Sequence, residues 1–187
     1  MKLILIVLVV ILLLAVVVLW RPGNNFRAQK PADYADTLPV FDPQVHLNGP
    51  IESEGVIYGL DGRVVSRFVA RMSGTWDGLN GTLREEFTYA RGGQQVREWT
   101  LSFDDTGALT ATAPDIIGTA TGQLSGATLS MRYKIKLEDD AGGHVLDVTD
   151  WLYLAPNGVI VNRSEMRKFG IKVAELVATM RPAEAAK

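Results

Sequence analysis

Residues 83–103 read "LREEFTYARGGQQVREWTLSF". Two runs of alternating character flank Gly92-Gly93. Leu83, Glu85, Phe87 and Tyr89 share one face of the first run, and Arg97, Trp99, Leu101 and Phe103 share one face of the second. Side chains along a strand point to opposite faces with a period of two, so each run reads as a strand with one dry and one wet face. A glycine pair between such runs supplies the positive φ that a tight hairpin turn requires. The stretch is a hairpin, and its dry face carries two charges, Glu85 and Arg97.

The same grammar recurs from about residue 50 onward. Turn signals stand at Asp61-Gly62, Asp77-Gly78, Asn80-Gly81, Asp105-Thr106-Gly107, Ser125-Gly126, Gly142-Gly143 and Asn157-Gly158, with β-branched and aromatic runs between them. In "RVVSRFVARM", Val64, Phe68, Ala70 and Met72 oppose Arg63, Arg67 and Arg71. In "SMRYKIKL", Met131, Tyr133, Ile135 and Leu137 oppose Arg132, Lys134 and Lys136. The pattern predicts an all-β domain over residues 48–182, an antiparallel meander β-barrel of roughly ten strands, closure removing exposed edges. A two-sheet sandwich is the alternative. "KVAELVATM" alternates as well and is expected to be the last strand, followed by a short tail over 183–187.

The N-terminus is of another kind. Residues 3–20, "LILIVLVVILLLAVVVLW", hold no charge, which matches the roughly 20 apolar residues that cross a bilayer core. Trp20 and Arg21 provide an interfacial aromatic and a basic flank. No small-x-small cleavage site follows, so residues 1–20 read as a transmembrane anchor in preference to a removed signal segment. Residues 21–47 are rich in proline and polar residues without period and read as a tether, part of which, "TLPVFDP", is able to lie against the domain.

Composition excludes several chemistries. The 187 residues contain no cysteine and two histidines, so disulfides, thiol nucleophiles and multi-histidine metal sites are out of reach. Beyond residue 30 there are 15 Lys/Arg against 21 Asp/Glu, a net of −6, which disfavours nucleic acid as a partner. No G-x-S-x-G, H-E-x-x-H, G-x-G-x-x-G or P-loop pattern occurs, and no metal or cofactor is expected. The Asn162-Arg163-Ser164 sequon is a match common by chance. Neighbouring carboxylates at 85–86 and 139–140 do not form acid–base pairs, because adjacent strand residues face opposite ways.

Candidate site residues are therefore the polar groups that interrupt the dry faces. Glu85 and Arg97 form one pair, with Trp99 and Tyr133 as interior aromatics. "VLDVTDWLYLA" sets Asp150 among Leu146, Val148, Leu152 and Leu154, with Trp151 on the other face. "VIVNRSEMRKF" places Arg163 and Glu165 with Val159 and Val161, opposite Asn162 and Ser164. Hairpin pairing across Asn157-Gly158 brings Asp150-Trp151 toward Arg163-Ser164. Glu85, Arg97, Trp99, Tyr133, Asp150, Trp151, Asn162, Arg163 and Glu165 are the ligand-binding candidates. The structural alternative is a set of ion pairs that close the barrel's end.

The blocks "NGPIESEGVIYGLDGRVVSRFVARMSGTWDG", "LREEFTY", "REWTLSF", "DIIGTATG", "DWLYL" and "NRSEMRKFGIKVAE" carry a resemblance. Over about residues 39–182 the chain resembles the domain-of-unknown-function family 3833, a family of bacterial envelope proteins. The resemblance implies a lipocalin-like barrel in an exported, membrane-held domain, and brings no catalytic residue with it. Family members look like lipoproteins, whereas residues 20–25 here are "WRPGNN" with no cysteine to acylate. A protein anchor in place of a lipid anchor implies a single-pass protein of the bacterial inner membrane with its β-domain in the periplasm. The expected function is binding or carrying a lipid, fatty-acyl or other apolar ligand. A scaffold protein with a filled barrel is the alternative, and an enzyme acting on lipids gains ground only if two of the carboxylates share one pocket.

Overall fold

A computed structural model describes residues 2–20, 25–139 and 142–184, with the side chains of residues 15–20 outside the description. The chain divides into two units, Met1–Lys30 and Pro31–Lys187. The first holds helix α1, Lys2–Trp20, and a single 3₁₀ turn, Phe26–Ala28, capped by the Asn25 side chain accepting from the Arg27 amide at 3.0 Å. Among the described residues no helix is long and apolar enough to cross a membrane. The expected span over residues 3–20 therefore appears as a 19-residue helix, part of whose side chains lie outside that description.

The second unit is a closed antiparallel barrel. Its strands are β1 (Gly49–Tyr58), β2 (Val64–Asp77), β3 (Asn80–Tyr89), β4 (Gln94–Phe103), β5 (Ala108–Thr112), β6 (Ala120–Ser125), β7 (Thr128–Lys136), β8 (Val145–Leu154), β9 (Ile160–Lys168) and β10 (Ile171–Pro182). Each pairs with the next in sequence, and β1 pairs with β10 to close the ring. Alternation decides the faces: Phe68, Ala70 and Met72 point inward from β2, Trp99, Leu101 and Phe103 from β4, and Leu146, Val148, Leu152 and Leu154 from β8. The start of β2 departs from strict alternation. A bulge pairs Ile57 with Ser66 but Tyr58 with Val64, so Val64, expected inside, is exposed.

The "TLPVFDP" part of the expected tether lies against the domain as expected, and the rest of residues 31–47 needs the larger correction. Pro31–Leu47 belongs to the folded unit and covers one end and one flank of the barrel. A 3₁₀ turn, Pro31–Tyr34, sets the Tyr34 ring 5.3 Å from Trp151 and 5.8 Å from Tyr153 on the outer face of β8. Phe41 then bonds through its amide to the Gly126 carbonyl, and a short helix α2, Pro43–His46, is capped by the Asp42 side chain. Phe41 and Leu47 are buried as part of the barrel core. No periodicity marks such a segment, because its apolar residues are spaced to meet the barrel's end and not to repeat along a helix or strand.

Gly74 makes room for this plug. A Cβ there would lie 1.7 Å from the Leu47 carbonyl oxygen, which is itself held by the Trp76 indole N–H at 3.0 Å. Gly74→Ala is therefore expected to lift the plug and lower stability by about 3 kcal/mol, the upper range for overpacking. Thermal unfolding of the full chain checks the loss, and altered Trp76 fluorescence reports the broken indole bond.

Candidate functional site

The barrel is not filled. A cavity of about 570 Å³ runs from Leu47, Met72, Leu83 and Leu129 at the plugged end to Ile57, Gln94 and Glu138 at the other. Gly92, Gln94, Lys136 and Glu138 are exposed as well as lining, so the cavity reaches the surface between these hairpin tips. Its walls are apolar at both ends, with Phe68, Phe87, Tyr89, Ile135 and Leu176 in the half toward the mouth. Polar groups form a belt at mid-height: Glu85 from β3, Arg97 from β4, Tyr133 from β7, Asp150 from β8, and Asn162 and Ser164 from β9.

Strand register builds this belt. Glu85 stands opposite Arg97 in the β3–β4 ladder, and Asp150 stands opposite Ser164 in the β8–β9 ladder. Arg97 spends most of its donors elsewhere. Its Nε donates to Asp115 at 2.9 and 3.1 Å, and its Nη2 lies 2.7 Å from the same carboxylate. Glu85 Oε2 is 3.6 Å from Arg97 Nη1 and has no hydrogen-bond partner, although Glu85 is only 7% exposed. On the facing side, Asp150 Oδ1 accepts from Ser164 Oγ at 2.7 Å and from the Asn162 amide, while Oδ2 accepts weakly from the Tyr133 hydroxyl at 3.3 Å. The Trp99 and Tyr133 rings meet edge to face at 5.3 Å beneath these groups.

The electrostatics follow from the geometry. Burial pushes the Glu85 carboxyl up to about 7, with Arg97 opposing and Asp150 reinforcing the shift. Arg97 fails to hold Glu85 down because its close bonds go to Asp115. Burial also raises Asp150, against the pull of its Ser164 and Asn162 donors. The Tyr133 hydroxyl is driven well up by burial and by Asp150, so it remains a donor. Three carboxyls, Glu85, Asp115 and Asp150, thus share one fixed cation among the described belt residues.

Six of the nine sequence candidates line the cavity: Glu85, Arg97, Trp99, Tyr133, Asp150 and Asn162. Three do not. Trp151 is buried on the outer face of β8 under Tyr34 and against Tyr153, so its burial belongs to the plug segment. Arg163 pairs outside with Glu175 at 2.7 Å, and Glu165 pairs with Arg167. Two participants lay beyond the sequence candidates. Ser164 faces inward by the same alternation that selects Asn162. Asp115 sits in the β5–β6 connection, where the Lys136 amide bonds its carbonyl at 2.8 Å, and a Pro-Asp loop dipeptide carries no sign of an inward ion pair.

A closed, lipocalin-like barrel with an internal cavity and a polar belt is the class that fold and site define. The chain belongs to the family described as "Protein of unknown function (DUF3833)", which it matches over residues 23–182. No curated protein matches it. Among solved structures it is similar to the S-type phycobiliprotein lyase CpeS from Guillardia theta, with a TM-score of 0.54 and 6% identity, covering 75% of this chain and 90% of that one. At that identity the likeness shows the fold alone.

The folded state holds the Glu85 proton up to about pH 7, whereas the unfolded chain releases it near 4.5. Raising pH across this window therefore removes stability, by up to about 3 kcal/mol for this one group. Asp150, shifted the same way, adds to the decline. Glu85→Gln is expected to flatten the fall in melting temperature between pH 5 and 8 and to melt roughly 5 °C above the unsubstituted chain at pH 8. Thermal unfolding at a series of pH values checks it.

Proposed function

We propose that this protein is a membrane-anchored periplasmic barrel that binds or carries a lipid or another apolar ligand. The observation that carries the reading is the cavity of about 570 Å³, a volume in the range of small-molecule sites, with apolar walls and a few convergent polar groups. A scaffold role built on a filled barrel loses its premise with that cavity. Ligand access from a lipid surface is supported by Leu60, Val64, Phe169 and Ile171, which stand exposed on the neighbouring β1–β2 and β9–β10 hairpins beside the mouth. The anchor rests on the uncharged run of residues 3–20 in the sequence and on Leu3 to Leu14 of α1, which are all exposed. Its place in a bacterial inner membrane, with the barrel in the periplasm, rests on the envelope character that the family resemblance implies and on the missing lipidation cysteine.

A second reading has one observation in its favour. Glu85 and Asp150 share the cavity, and Glu85 titrates near neutrality, where a carboxyl group serves as general acid or base. No nucleophile–base pair accompanies them among the described residues, so acid–base work on a bound lipid stays behind simple binding.

Two experiments decide these points. The full chain purified from membranes should retain a lipid, read by mass spectrometry of an organic extract, and Ala174→Trp, which places an indole across the mouth, should abolish the retention. Equal retention by both proteins places the lipid outside the barrel and rejects the binder; a retained ligand that is chemically altered on incubation favours the acid–base reading. Separately, the chain should resist alkaline carbonate extraction from inner membranes, with the barrel digested by protease added to spheroplasts. Extraction into the soluble fraction rejects the anchor, and protection from protease rejects the periplasmic placement.

A further inference from the structure

The belt is chemically one-sided. Arg97 looks at first like the anchor for a fatty-acid carboxylate, but its Nε and Nη2 are already bonded to Asp115 and its Nη1 faces Glu85. With Glu85 ionised, as it is above about pH 7, the oxygens left with bonding capacity are acceptors: Glu85 Oε2, buried with no hydrogen-bond partner, and Asp150 Oδ2, held only by the 3.3 Å contact from Tyr133. Leaving a buried acceptor unmade costs free energy that a ligand donor recovers, whereas an anion placed there meets two carboxyls in a low-dielectric enclosure.

We propose that the cavity selects ligands whose head group donates hydrogen bonds and carries no negative charge, a hydroxyl or protonated amine on an apolar tail, and rejects free fatty-acid carboxylates. The head sits at the belt between Glu85 of β3 and Asp150 of β8, and the tail lies along the apolar wall formed by Phe68, Phe87 and Leu176. Tyr133 and Trp99 close the belt between these strands, and the Tyr133 hydroxyl donates to Asp150, leaving the second carboxyl for the ligand. The inference rests on the reading of the barrel as an apolar-ligand binder and assigns the polar end of that ligand.

The test uses four probes with the same saturated tridecyl tail: tridecylamine, tridecanol, methyl tetradecanoate and tetradecanoate. Their apolar burial is nearly equal, so differences report the head. Binding to the full chain is read by native mass spectrometry after release from non-ionic detergent micelles, at pH 8. The amine and the alcohol should bind at least about tenfold more tightly than the ester, which only accepts, and than the acid, the ratio expected for one hydrogen bond to a charged group. Glu85→Gln and Asp150→Asn should each narrow the preference of the amine over the acid by about tenfold. Comparable binding of all four probes overturns the head-group assignment while leaving the apolar binder standing. Preferred binding of tetradecanoate overturns it in favour of a carboxylate site. Binding of none of the four overturns both the assignment and the binder on which it rests.

Discussion

Everything in the folded unit depends on the closure of the sheet by β1 against β10, from Ile51 opposite Pro182 to Tyr58 opposite Glu175. An open ten-strand meander would present two unpaired edges and a half-covered inner face. Closure removes the edges and turns one face of every strand into a shared interior. Once that interior exists, each inward residue has only other inward residues and the cavity for surroundings. A charge on that face is then desolvated whether or not it has a partner.

This is why the belt behaves as it does. Asp115 reaches in from a loop and takes the best geometry Arg97 offers, bonding its Nε and Nη2. Glu85, its cross-strand neighbour, is left at 3.6 Å with one oxygen unbonded. Burial then outweighs attraction and the carboxyl holds its proton to about 7. A buried ion pair is weak evidence for stability, and here the third partner leaves the Glu85–Arg97 pair a poor stabiliser. The plug completes the enclosure: Leu47 and Phe41 cover the far end, Tyr34 covers Trp151, and the opposite hairpin tips are left as the mouth.

Much of the site was legible because a strand's alternation is a local rule. Glu85 in line with Leu83 and Phe87, and Asp150 in line with Val148 and Leu152, announce themselves as inward polar groups from spacing alone. The same rule separates Asn162 and Ser164 from Arg163 and Glu165, yet alternation does not say which face is inner where both carry polar side chains. Trp151 misleads for a related reason: its burial comes from a segment over a hundred residues away, not from its own strand's inner face. The bulge near Tyr58 shows the rule failing locally, since one extra residue shifts Val64 out of the interior.

The sequence by itself determined a strand count of roughly ten, the hairpin order, the inward charges, and an uncharged run over residues 3–20 without cysteine. These are properties of neighbours along the chain, where period two and turn chemistry act within a few residues. Tertiary structure alone decided that residues 31–47 plug the barrel, that Gly74 admits the Leu47 carbonyl, and that Asp115 and not Glu85 holds Arg97 closely. It also decided that the core encloses about 570 Å³ of space. Those outcomes depend on barrel radius and on contacts between distant segments, because the volume inside a closed sheet is what remains after every inward side chain has been placed.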